Sequence, residues 1–149
     1  AQVAAQFGLT APEQPGEWRE SEDGRLRFLY LYQLLPELAE DLRDYSEVIF
    51  IDAHNSVDMP ELVFEPVSPT WEHSAFTHHL SMGELLAITQ TLYGLFPAAW
   101  MLSVRGYVFE FSQVLSSQTA ALVTQAAALL CSHLQQQAMP NQAKLHPEE

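Results

Sequence analysis

The pattern of hydrophobic and polar positions divides the chain into short blocks of changing period. Residues 47–51 (Glu-Val-Ile-Phe-Ile) form the cleanest block, an unbroken, β-branched run of the kind found in strands covered on both faces. It ends directly at Asp52. Residues 25–32, rich in Leu, Phe and Tyr, predict a strand, and 61–67 a shorter one whose flanking prolines suit an edge or near-edge position. Residues 98–104 read as a further buried strand.

Helical blocks lie between these runs. Residues 1–7 read as the end of a helix stopped by Gly8, and 9–24 carry the Pro, Glu, Gly and Ser of a loop. Pro36 opens a short helix over 36–44, at a first-turn position where its missing N–H does no harm. Ser81 and Glu84 have the spacing of a capping box, which starts a helix that runs to about Tyr93 and stops at Gly94. Ser116 or Ser117 caps a last helix to about Gln137, with Leu122, Ala126, Leu129 and His133 along one stripe. The order helix, strand, helix, strand, strand, helix, strand, helix predicts an α/β fold. Its sheet is expected to be open, mostly parallel and twisted, with helices on both faces. One domain spans 1–138, and 139–149 form a polar tail.

Composition agrees with a single globular domain: 149 residues, 48% hydrophobic and 17% charged. Nineteen acidic residues against six basic ones give a formal net charge of −13. That balance argues against nucleic acid, whose phosphates need clustered Lys and Arg, and against an anionic membrane surface. An acidic surface favours a basic partner, although solubility alone is the better account of net charge. The single cysteine, Cys131, has no internal partner and falls inside the last helix, a structural rather than reactive position.

In open α/β sheets, functional side chains gather beyond the carboxyl ends of the strands. Asp52 occupies such a position, where a carboxylate can bind a cation, act as acid or base, or simply tie down the next loop. The loop over 68–80 contains His73, His78 and His79, and imidazole is the commonest metal-binding side chain. Their spacing matches neither a helical zinc-protease pair nor a Cys/His finger, so on spacing alone solvated loop histidines are the favoured account. Arg105, before Gly106, stands near the same end as Asp52 and suits either a substrate carboxylate or a surface acid. His133 suits packing or capping. Phosphate-cradling and nucleophile-elbow motifs are lacking from the sequence.

Several segments together resemble the hydrogenase maturation protease family. Val48-Ile49-Phe50-Ile51-Asp52-Ala53 is similar to the strand that delivers an aspartate in that family, and Thr77-His78-His79-Leu80-Ser81 to the loop in which a histidine precedes a capped helix. Residues 99–106 resemble the strand and turn that follow, and 33–40 (Gln-Leu-Leu-Pro-Glu-Leu-Ala-Glu) the segment of proteases serving bidirectional hydrogenases. The resemblance covers residues 1–134 and rests on order and spacing rather than on one decisive motif. It implies a phosphorylase/hydrolase-like fold and a cytoplasmic, aspartyl-type endopeptidase that removes a C-terminal peptide from the nickel-loaded precursor of a [NiFe]-hydrogenase large subunit. Asp52 and His78, with His79 as the runner-up, would act as catalytic residues and nickel contacts, the nickel being carried by the substrate rather than held as a cofactor.

The sequence departs from the family at its start, where the family's opening strand and Gly-Asp-Asp loop, with a third metal contact, have no counterpart. A sheet edge left unpaired there would invite strand addition or oligomerisation. Leu35 stands where a helix cap would be Thr or Ser. The alternative implied by the same resemblance is a hydrogenase assembly module that docks the large subunit without cutting it.

Overall fold

A computed structural model of the chain describes residues 2–71, 79–109 and 114–138. In chain order the elements are α1 (Gln2–Gln6), β1 (Trp18–Glu20), β2 (Arg27–Leu29), α2 (Leu38–Leu42), β3 (Glu47–His54), β4 (Leu62–Pro66), α3 (Met82–Tyr93), β5 (Ala98–Arg105) and α4 (Ser117–Ala138).

Three strands make the main sheet in the order β3-β5-β4. β3 runs parallel to β5, from Glu47 opposite Ala98 to His54 opposite Arg105, whereas β4 runs antiparallel to β5. The sheet is therefore mixed rather than mostly parallel. The 55–61 connection is too short for the crossover that a parallel strand needs, so β4 runs back opposite to β3, and β5 enters between them, parallel to one and antiparallel to the other. β4 lies at an edge, as its prolines require, and β3 forms the other edge of the described sheet.

Because successive side chains on a strand point to opposite faces, the sheet carries two cores. Phe50 and Ala99 pack with Ala39 and Leu42 of α2 and Leu85 and Leu86 of α3. On the other face Leu102 and Val104 pack with Leu122, Ala126 and Leu130 of α4, joined by Val3 of α1 and Ile49 of β3. Helices thus cover both faces. The α4 stripe is shifted from the expected one, since Leu129 is exposed and Leu130 is buried in its place. Burial pushes the Cys131 thiol above its ordinary pKa, keeping it protonated and poorly nucleophilic.

The segment 9–24 is not all loop. β1 pairs antiparallel with β2, Trp18 opposite Leu29. Their turn is held by Ser21, whose hydroxyl donates to Asp23 at 2.6 Å and accepts from the Leu26 amide at 2.9 Å. The Arg27 guanidinium lies 4.3 Å from the centre of the Trp18 ring and reaches the Tyr45 hydroxyl, tying the hairpin to the loop before β3. The strand expected over 25–32 is thus reduced to its middle, the part that pairs with β1, its one strand partner among the described residues. The helix expected over 36–44 is likewise shorter. Its cap falls on Glu37 rather than Leu35 and makes no side-chain capping bond. Among the described residues no helix is long and apolar enough to cross a membrane.

Candidate functional site

The site develops from the carboxyl ends of the parallel pair. β3 does not stop at Ile51 but continues through Asp52 and Ala53 to His54. Asp52 lies opposite Ser103 and His54 opposite Arg105. In a parallel pair, adjacent residues share a face, so these four polar residues interrupt the apolar surface that Val48, Phe50 and Ala99 present to α2 and α3.

Asp52 is exposed, and one of its carboxylate oxygens accepts the Ala53 N–H at 2.8 Å. It lines a cavity of about 2180 Å³ whose walls also carry Leu29, Tyr30 and Tyr32 from the hairpin side, Phe50 from β3 and His79 from the loop before α3. His79 is exposed. His78 and His73 lie outside the described residues, so the structure brings Asp52 to a common cavity with His79 and says nothing of His78.

The start of α3 is built locally, as its sequence requires. The Ser81 hydroxyl accepts the Glu84 amide at 3.2 Å, and the Glu84 carboxylate accepts the Ser81 amide at 2.9 Å. Two otherwise unpaired N–H groups are thereby satisfied. Gly83 allows the preceding loop to lie against this first turn, because a side chain there would run into Thr70 and the Ser68 carbonyl. The helix ends at Gly94 in the left-handed conformation, φ 72°.

Arg105 is committed to the protein. Its guanidinium donates to the Met59 carbonyl, and among the described residues it pairs with no carboxylate. His54 was not foreseen from sequence. Its Nδ1 lies 2.8 Å from the Ser103 hydroxyl, while Nε2 is buried with no hydrogen-bond partner among the described residues. His133 packs at the other end of β3, with Nε2 3.0 Å from a Glu47 carboxylate oxygen and its ring edge-on to Phe64 and Trp100.

No family model, characterised protein or solved structure matches the chain. The chemistry of the site rests on its own residues. Among those described, no three His, Cys, Asp or Glu side chains are grouped to hold a metal ion. Asp52 and His79 are separate positions on a broad cavity that also runs past Val123 and Leu130 of α4, and each exposed group can offer one ligand to a divalent first-row ion.

Proposed function

We propose that the chain acts on a protein bearing its own metal, as an endopeptidase that removes a C-terminal peptide from a nickel-loaded [NiFe]-hydrogenase large-subunit precursor. The observation that supports this reading is the exposed carboxylate of Asp52 near the carboxyl end of β3, on a broad cavity that His79 also lines. Asp52 comes from a strand end, a position that fixes a side chain more firmly than a loop does. The histidine side follows from the capped start of α3, with His78 the preferred contact from the resemblance and His79 the alternative.

In this reading the substrate's metal fills the cavity mouth and is met by Asp52 and a histidine, which orient the adjoining chain. Water then adds across one peptide bond. The carbonyl carbon gains the water's hydroxyl as its bond to nitrogen breaks, and the leaving nitrogen gains the remaining proton.

The test is the intact mass of a nickel-loaded precursor incubated with the chain, beside a nickel-free precursor. Loss of a discrete C-terminal peptide from the loaded form alone is the expected result. Unchanged mass with stable binding of the precursor would replace the protease with a docking module.

A further inference from the structure

We propose that His54 and Ser103 form a positioning pair that fixes Asp52 at the cavity; this rests on the reading of Asp52 as the residue that meets the substrate's metal. β3 is held by a strand on one side only among the described residues. Asp52 lies near its free end, two residues before the strand finishes. What steadies this end is therefore the ladder to β5, the Gly106 amide donating to the His54 carbonyl at 2.8 Å, and one side-chain bond across the pair.

That bond joins His54 Nδ1 and Ser103 Oγ at 2.8 Å. Ser103 is 4% exposed, so its hydroxyl is anchored in the sheet. Because Ser103 is also the register partner of Asp52, the imidazole bridges from the residue two beyond Asp52 to the residue directly beside it. His54 Nε2 is buried and unpartnered among the described residues, which leaves Nδ1 as the ring's polar tie there. Whichever tautomer is present, one of the two groups donates and the other accepts. Loss of the bond frees the last residues of a one-sided strand, and with them the angle at which the carboxylate enters the cavity.

The experiment compares His54→Leu, His54→Asn and Ser103→Ala with wild type. Asparagine restores a hydrogen-bonding atom at the δ position without the imidazole. Cleavage of nickel-loaded precursor is followed over a range of substrate concentrations, and the amide proton shift of Ala53, which reports its bond to Asp52, is read by NMR on each folded variant. Expected are a fall in kcat on the order of 100-fold for His54→Leu and Ser103→Ala, little change in KM, a displaced Ala53 amide, and recovery of both rate and shift in His54→Asn. Should His54→Leu fail to fold, Ser103→Ala removes the same bond at the cost of one hydroxyl. An asparagine variant as slow as the leucine one, or variants as fast as wild type, would overturn the pair. If wild type does not cut the precursor, the Asp52 reading fails, and the Ala53 amide still decides the pair: an unmoved shift in His54→Leu and Ser103→Ala refutes it.

Discussion

β3 carries a histidine–acid grouping at each end, and the two differ in almost every physical respect. At its start Glu47 meets His133 of α4, and the imidazole is enclosed by Phe64 and Trp100, themselves stacked with centroids 5.0 Å apart. Acid and imidazole are partnered with each other and mostly buried. At its end Asp52 is exposed, and its described carboxylate bond goes to its own neighbour's amide. A largely enclosed, mutually bonded pair ties α4 to the sheet. Exposure with an incomplete set of partners leaves a carboxylate open to another molecule, which is the pattern expected where a strand end meets a ligand.

The largest effect expected from breaking this contrast is at Asp52. Replacement by Ala should lower cleavage of the nickel-loaded precursor by more than about 100-fold, measured by intact mass, while the melting temperature stays near wild type because the side chain is exposed. The start of β3 should behave in the opposite way. Trp100→Ala removes a ring packed on Phe64 and His133 and should cost about 3 kcal/mol of stability in urea unfolding, with cleavage by the remaining folded fraction preserved.

A smaller change sharpens the link between α3 and the site. Ser81→Ala removes the cap and should cost about 1 kcal/mol. Since the Ser81 cap stands two residues after His79, precursor KM should rise as the loop loosens. Smallest is a pH effect on the hairpin wall. The Ser21 hydroxyl and then the Arg25 amide hold the Asp23 carboxyl below its ordinary pKa. A lowered folded pKa means stability that is present above the unfolded value, near 3.9, and lost as pH falls through the folded one. The Arg25 amide resonance should therefore move only below about pH 4, and Asp23→Asn should remove that movement.

Much of the fold was legible because it is local. The Ser81–Glu84 box, the Gly94 stop and the apolar run from Val48 to Ile51 declare themselves within a few residues. The β1–β2 hairpin did not, since Trp18-Arg19-Glu20 is three residues with no alternation to see. Its stability comes from the Ser21–Asp23 turn and from Arg27 reaching across to Trp18 and Tyr45. The antiparallel entry of β4 was equally hidden, because edge position constrains a strand's prolines but not its direction.

The candidate site divides in the same way. Asp52 could be read from its place after an apolar run. His54 and Ser103 could not, because one stands beyond that run and the other is a lone hydroxyl inside an apolar strand; only register brings them together. The available signal was parity. Had the strand been extended to residue 54, Asp52 and His54 would have fallen on one face.

The most direct test of the contrast between the two ends of β3 is a paired measurement on Asp52→Asn and His133→Ala, with melting temperature and cleavage of nickel-loaded precursor recorded for both. The account predicts a crossed result: Asp52→Asn keeps its melting temperature and loses cleavage, whereas His133→Ala melts earlier and still cuts. Full cleavage by Asp52→Asn, or loss of cleavage in a fully folded His133→Ala protein, would contradict it.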